Sequence, residues 1–379
     1  MSVYNIVFST SHSYAKYTYV AMYSILRQTA NEKKIVFHIL IDNSFTEEDK
    51  KLFNVAEEIF CNSSLKFYLF GESVGRDVGT RIARTTYFRL YIPTIIDADA
   101  CLYLDQDLLI TGDVTELFSF IGDKKIYGVV DPMADLHIER LHHEYSCFDG
   151  GKESVQHYIN GGVILFNNRV IDVAEWEKQL SSIIDYPFTL GDQDIINILC
   201  QGEVGLLPGA YNYNIKRHNP CEHPQIIHYT GPKKPWNYPY YYGANEWWET
   251  CLQTEVFDEV LKENAFSQWL YLRSPKIENI EEFVKYSKKH KCIIYGAGKL
   301  AREIAAKIST MNDVFIEFAV ESKECNPPSI YGYPVKSIHE YEDDEISVFV
   351  AVAEGTDEIA LNLLRMGFSS VMPIIHLAY

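Results

Sequence analysis

The 379-residue chain lacks a basic surplus. Lys and Arg together number 34 against 52 Asp and Glu, a formal net charge of −18. A nucleic-acid binder needs a basic patch or stripe, and a protein held on anionic lipid needs polybasic segments. Neither class fits. Cysteine pairing motifs are missing as well: the 8 cysteines are scattered, with no C-x-x-C and no zinc-ligand spacing. Several lie in apolar runs, such as Cys101 before Leu-Tyr-Leu and Cys292 before Ile-Ile-Tyr, where buried free thiols are common. That usage points to a reducing, cytoplasmic setting. No apolar run is long enough to span a bilayer, so membrane contact is expected to be peripheral at most. The opening Met1-Ser-Val-Tyr-Asn-Ile-Val-Phe lacks the basic start and apolar stretch of a signal peptide and reads as a first strand. Internal repeats and low-complexity segments are absent too.

What is present is an α/β pattern. Strands are predicted at Asn5–Ser9 and Ile35–Ile41, rich in β-branched and aromatic residues. Between them Tyr17–Arg27 carries apolar residues at helical spacing, giving a βαβ unit and hence a parallel sheet. A helix over Phe45–Ile59, a strand at Leu65–Phe70 and a helix over Thr85–Tyr91 follow. Ala100–Leu104 is a short, wholly apolar strand that runs into Asp105-Gln106-Asp107. Further strands are expected at Ile126–Val130, Gly162–Phe166 and Gln225–Tyr229, and a helix over Gly191–Leu199. The aromatic stretch Trp236–Trp248 either lines an acceptor cleft or packs a core. After the charged stretch Glu281–Lys291 the pattern restarts as a small α/β domain. The expected organisation is a first domain over residues 1–275, a helical connector over 276–290, and a Rossmann-like domain over 291–379.

Asp105 and Asp107 sit at the C-terminal end of a buried strand, where parallel sheets open onto their ligand crevice. Alternate residues of an extended chain point the same way, so two carboxylates can face one cation. Hard oxygen ligands favour Mg²⁺ or Mn²⁺, and such an ion neutralises a departing diphosphate. A bare D-x-D is also what a polar strand end looks like.

Five further stretches give the pair a context: Ile6-Val-Phe-Ser, Thr85-Thr-Tyr-Phe-Arg-Leu90, Asn160-Gly-Gly-Val-Ile-Leu-Phe-Asn167, Gly191-Asp-Gln-Asp-Ile-Ile-Asn197 and His228-Tyr-Thr-Gly-Pro-Lys-Lys-Pro-Trp236. With Leu102–Leu108 these resemble glycosyltransferase family 8, the retaining group that includes bacterial lipopolysaccharide galactosyl- and glucosyltransferases and the glycogenins. The resemblance runs from about Asn5 to Trp236. It implies a GT-A fold and a metal held by Asp105, Asp107 and His228, with Mn²⁺ or Mg²⁺ as the ion and a UDP-sugar as donor. It implies that Gly231 and Lys234 contact the diphosphate, and that Arg89, Gln106, Asp131, Asn160, Gly161, Asp192 and Gln193 surround the donor. Ser9 and Tyr14 fall on the nucleoside side, where Ser11 and Ser13 replace the family's usual Asp and Asn. Asp192 also suits a helix N-cap, and Asn160 before two glycines suggests a tight turn. Gln193, a poor nucleophile, lies nearest the reacting face with Asp192 beside it, so front-face substitution is expected rather than a covalent intermediate.

The expected activity is therefore transfer of glucose or galactose to a glycan or lipid-linked saccharide, by a monomer or a homo-oligomer. A nucleotide-sugar-binding or scaffolding protein whose transferase chemistry has lapsed is the alternative. In the last domain, Gly296-Ala-Gly-Lys-Leu-Ala301 follows a strand and opens a helix, and Glu321 ends the next strand. That pattern matches a nucleotide fingerprint, but the domain is too short to be a full dinucleotide fold, so a bound nucleotide and an assembly or acceptor-presenting role are both open. An oxidoreductase acting there lacks a catalytic constellation.

Overall fold

A computed structural model describes residues 2–71, 84–144, 157–214, 223–231, 234–237, 243–263, 277, 279–311, 314, 316–322, 328–341, 346–352, 356–368 and 370–374. The chain forms two compact units, one of Met1–Val78 with Ile82–Phe257 and the other built on Asp258–Tyr379.

The first unit opens with β1 (Val3–Thr10), α1 (Ala15–Gln28), β2 (Lys34–Ile41), α2 (Glu47–Ile59) and β3 (Ser63–Leu69). The strands form because β-branched and aromatic residues pack well on a pleated surface. Helix α2 is set by a capping box: Thr46 accepts from the Asp49 N–H, and Asp49 accepts from the Thr46 N–H. Such a cap contributes about 1 kcal/mol. A 3-10 segment, Arg84–Tyr91, then runs into the short α3 (Ile92–Ile95), which carries Pro93 in its first turn. An α-helix over Thr85–Tyr91 ending before Pro93 was expected. Proline instead serves as a helix starter, because its missing N–H is unneeded there.

The remaining elements are β4 (Ala100–Leu104), β5 (Leu108–Ile110), β6 (Ile126–Val130), α4 (Ala134–Glu144), β7 (Ile159–Asn167), α5 (Val173–Ile183), α6 (Asp192–Leu199), β8 (Val204–Leu206), β9 (Tyr213–Asn214), β10 (Ile226–His228) and α7 (Ala244–Cys251). Seven strands form one sheet in the order β3-β2-β1-β4-β7-β6-β8. Strands β1 to β4 are mutually parallel, but β7 runs antiparallel to both β4 and β6. The sheet is therefore mixed, not purely parallel. A second sheet of three strands, β5-β10-β9, carries the chain onward from the D-x-D loop. Cys101, Tyr103, Ile164 and Phe166 share a buried cluster with Trp176, Leu180, Ile195 and Ile196 of α5 and α6. Fully burying each large apolar side chain contributes about 1.5–3 kcal/mol, which fixes β4 and β7 side by side. Trp236 and Trp247 are also core residues, and Trp236 stacks on Tyr17 with ring centroids 3.9 Å apart.

The second unit carries α8 (Ile280–Ser287), capped by Asn279. This helix was expected as a connector, yet Phe283 and Val284 are buried in the core of the second unit. Then come β11 (Cys292–Tyr295), α9 (Lys299–Ser309), β12 (Glu317–Val320), β13 (Ser329–Ile330), β14 (Tyr333–Ser337), β15 (Ser347–Val350), α10 (Thr356–Arg365) and β16 (Ser370–Pro373). The strand order is β13-β14-β12-β11-β15-β16, parallel except for the β13–β14 hairpin. Ile294, Phe318 and Phe349 pack with α8 and α9, whereas Ile293, Val348 and Val350 pack with α10. Both faces are covered, as a parallel sheet requires. Among the described residues no helix is long and apolar enough to cross a membrane, and Cys61, Cys101, Cys200, Cys251 and Cys292 are free thiols.

Candidate active site

Strand β4 ends at Leu104, and the Asp105 N–H donates to the Gly162 carbonyl of β7 at 2.9 Å. Beyond the turn, β5 pairs antiparallel with β10, placing Leu108 opposite His228. The Tyr229 N–H closes the corner on the Asp107 carbonyl at 3.0 Å. Residues more than a hundred positions apart thus meet at one point. His228 Nε2 lies 3.2 Å from Asp107 Oδ1 and 3.9 Å from Asp105 Oδ2. The ligating atoms of Asp105, Asp107 and His228 all fall within 4.8 Å of one another.

The other carboxylate oxygens are already engaged. Asp105 Oδ1 accepts from Arg89 Nη2 at 2.9 Å and from the Tyr103 hydroxyl at 2.8 Å. Asp107 Oδ2 takes the Lys234 ammonium, which also donates to the Tyr229 carbonyl at 2.7 Å. Burial alone would raise the Asp107 carboxyl, but Lys234 and His228 outweigh it and hold the group well below the usual carboxylate range. Two carboxylates and an imidazole, each presenting one atom to a common point, suit a hard-to-borderline divalent cation such as Mn²⁺. The residues fit the ion that the sequence implies.

Gly162 makes the convergence possible. A Cβ there would sit 2.2 Å from His228 Cε1 and 3.0 Å from Asp105 Oδ2. The Asn160-Gly161-Gly162 segment is not the tight turn expected. It lies inside β7, and its glycine lets a buried ring approach the strand.

Arg89 is 3% exposed and bridges Asp105 and Asp192, with Nε 2.9 Å from Asp192 Oδ2. The same Nε–H also faces the Thr86 carbonyl, Nη1 donates to the Gly161 carbonyl, and the guanidinium lies 4.4 Å from the Tyr103 ring centroid. The side chain is thus spent on the protein rather than turned outward. Asp192 is not the N-cap of α6; that position is Gly191, and Asp192 accepts from Thr86 Oγ1 at 2.8 Å instead. Burial lifts the Asp192 carboxyl above its ordinary value, with Arg89 opposing.

A second network lies alongside. Asn160 Nδ2 and Gln193 Nε2 both donate to Asp131 Oδ2, at 3.1 and 3.4 Å. Gln193 Oε1 accepts from the Gly161 N–H at 2.9 Å. Burial would raise the Asp131 carboxyl, yet bonds from His137, the Met133 N–H and Asn160 hold it below the usual range. Of the expected site residues, Arg89, Asp105, Asp107, Asp131, Asn160, Gly161, Asp192, Gln193, His228 and Lys234 are joined by hydrogen bonds and ion pairs. Gln106 instead donates to the Ser9 carbonyl, while the Ser9 side chain is buried with its hydroxyl unpaired. Tyr14 ends the 3-10 turn after β1, edge-on to Tyr17. Gly231 follows β10 with φ +78°, the left-handed region that favours glycine.

Sequence reasoning missed Asn212, Tyr103 and Asp194. The Asn212 side chain lies 2.8 Å from His228 Nδ1. Asp194 is fully buried between Arg140 and the Tyr158 hydroxyl, both at 2.7 Å. Tyr103 is legible in retrospect, because period two puts it on the face of Asp105. Asn212, a lone amide between tyrosines, carries no such signal.

The first unit thus combines a mixed α/β sheet with Asp105, Asp107 and His228 converging at its strand ends, where they could hold a divalent cation. A sequence profile of glycosyl transferase family 8 matches residues 5–239, more than half of the chain, and the chain belongs to that family. Its first unit has the GT-A fold. The glycosyltransferase GlyE of Streptococcus pneumoniae is 30% identical over 229 residues, covering 52% of this chain and 50% of the relative. The lipopolysaccharide 1,2-glucosyltransferase of Escherichia coli K12 is 28% identical over 203 residues, covering 47% of this chain and 56% of the relative. The match therefore spans about half the length of these two relatives. Among solved structures, the galactosyltransferase LgtC in complex with donor and acceptor sugar analogues aligns with a TM-score of 0.52 and 25% identity, covering 66% of this chain and 96% of LgtC. The bifunctional glycosyltransferase WbbM shares the fold, with a TM-score of 0.58 and 19% identity over 69% of this chain and 51% of WbbM.

Proposed function

We propose that this chain is a metal-dependent retaining hexosyltransferase. It takes glucose or galactose from a UDP-sugar and passes it to a glycan or lipid-linked saccharide in the cytoplasm. The observation that carries the reading is the convergence of Asp105, Asp107 and His228 beside Lys234, in a family 8 chain. Mn²⁺ or Mg²⁺, when bound there, supplies positive charge to the diphosphate leaving group. Lys234 adds a second positive charge next to Asp107, and such preorganised charge is the largest contribution expected in this chemistry. Gly231 lets the backbone come close to phosphate.

Arg89 holds Asp105 in place, and Asp192, buried against Arg89 and Thr86, is not free to attack an anomeric carbon. Gln193, tied to Asp131 and Gly161, presents an amide, which does not form a glycosyl ester. Retention then follows from front-face attack, with the acceptor hydroxyl giving its proton to the departing phosphate. Ser9 and Gln106 shape the floor of the nucleoside side, and Tyr14 offers an aromatic face to the base. A screen of UDP-glucose and UDP-galactose with Mn²⁺ and candidate saccharides, reading released UDP, tests the proposal. Turnover with either sugar supports it. UDP-sugar binding without release under any condition favours a binding or scaffolding protein instead.

A further inference from the structure

His228 can hold a cation only through an unprotonated ring nitrogen, and Nε2 is the one facing the two aspartates. Neutral imidazole can carry its proton on either nitrogen, and the partner of the other nitrogen decides which. Nδ1 lies 2.8 Å from the Asn212 side chain. An amide can turn either its oxygen or its nitrogen to a neighbour, so Asn212 alone leaves the choice open.

The choice is settled one residue further back. The Gly162 backbone N–H can only donate, and it points at Asn160 Oδ1 from 3.1 Å. The Asp131 carboxylate can only accept, and it takes Asn160 Nδ2 at 3.1 Å. Both contacts demand the same orientation of Asn160, with its oxygen toward Asn212. That oxygen needs a donor, so Asn212 turns Nδ2 to it at 2.9 Å. Asn212 Oδ1 is then left for His228. An amide oxygen only accepts, so Nδ1 always carries a proton, and in the neutral ring Nε2 is the nitrogen whose lone pair faces Asp105 and Asp107. Asn212 and His228 are each 3% exposed, so bulk water does not reach in to offer a competing partner.

We propose that Asn212 is a positioning residue which, backed by Asn160 and Asp131, locks His228 in the Nδ1–H tautomer and prepares the metal site before the cation arrives. The inference rests on the metal reading of the site, but its signature is measurable without metal. In the metal-free full chain labelled with ¹⁵N-histidine, at a pH high enough for neutral rings, two-bond ¹⁵N–¹H correlations report the tautomer of each ring and distinguish it from a doubly protonated ring. The His228 signals are identified by their loss in His228→Gln.

The wild type is expected in the Nδ1–H form. Asn212→Leu removes the acceptor and is expected to admit the Nε2–H form and to weaken Mn²⁺ binding, followed by electron paramagnetic resonance, by about ten- to a hundredfold. Asn212→Asp keeps an oxygen at Nδ1 but loses the donor to Asn160, and is expected to keep the tautomer with a smaller loss of Mn²⁺ affinity than Asn212→Leu. A wild-type Nε2–H ring, or Asn212→Leu with unchanged tautomer and affinity, overturns the proposal. If Asn212→Leu does not fold, the wild-type tautomer and its retention in Asn212→Asp decide the matter. A wild type that shows the Nδ1–H form yet binds neither Mn²⁺ nor Mg²⁺ refutes the metal reading while leaving the lock standing.

Discussion

Gly162→Ala places one methyl group where the site has no room for it. The added carbon would lie 2.2 Å from His228 Cε1, 2.9 Å from Nδ1 and 3.0 Å from Asp105 Oδ2. Carbon atoms in contact settle at about 3.5–4.0 Å, so the ring must retreat by more than about 1 Å. His228 is buried in β10 and tied to Asn212, and its neighbours cannot yield freely. Overpacking of this kind costs about 1–3 kcal/mol of stability. Metal–ligand distances tolerate only about 0.2 Å, so the displaced ring ceases to ligate. The expected result is a folded protein, less stable by about 1–3 kcal/mol in urea, with Mn²⁺ affinity down at least about tenfold by paramagnetic resonance titration. Gly209→Ala is the control, because nothing lies within 4 Å of its added carbon. Mn²⁺ affinity in Gly162→Ala within twofold of wild type (roughly 0.4 kcal/mol) would refute the reasoning.

Arg89→Met leaves Asp192 buried without its cation and is expected to cost about 3–5 kcal/mol in urea denaturation. Adding Asp192→Asn should return part of that, and a loss below about 1 kcal/mol contradicts the clamp. Buried His38, between Asn5 and Tyr68, has its pKa lowered from 6.5 to about 4, chiefly by burial and secondarily by Lys66. The unfolded chain therefore binds the extra proton between those pH values, and stability falls as pH drops through that window, by up to about 3 kcal/mol. The stability difference between wild type and His38→Gln should shrink by that amount from pH 7 to pH 4, and a flat difference contradicts the burial account. For the second unit, calorimetry of the full chain with NAD(H), NADP(H) and nucleoside phosphates decides between a nucleotide site at the Gly296 and Gly298 turn, which gives heat of binding, and an assembly or acceptor-presenting role, which gives none.

Much of the site was legible because its residues sit where strands end. The wholly apolar Ala100–Leu104 reads as a buried strand, so Asp105 and Asp107 had to emerge at the C-terminal end of an interior strand. Strand direction was less legible: a run such as Ile159–Asn167 reads the same parallel or antiparallel, and only pairing with β4 and β6 decides. Paired glycines at 161 and 162 signal a turn in isolation, whereas here Gly162 clears space for a ring from a distant strand. Arg89 is placed beside the donor by the family resemblance alone. Its burial between two aspartates depends on α6 and β4 meeting, which no local pattern encodes. Asn212 was invisible for the same reason.

The central claim is that Asp105, Asp107 and His228 hold the cation through which the chain grips a nucleoside diphosphate. Calorimetric titration of UDP into the full chain, in Mn²⁺ and again in EDTA, tests it most directly. The account predicts binding in Mn²⁺ that is lost in EDTA and lost in Asp107→Asn. Equal UDP affinity in both buffers, or full affinity in Asp107→Asn, would contradict it.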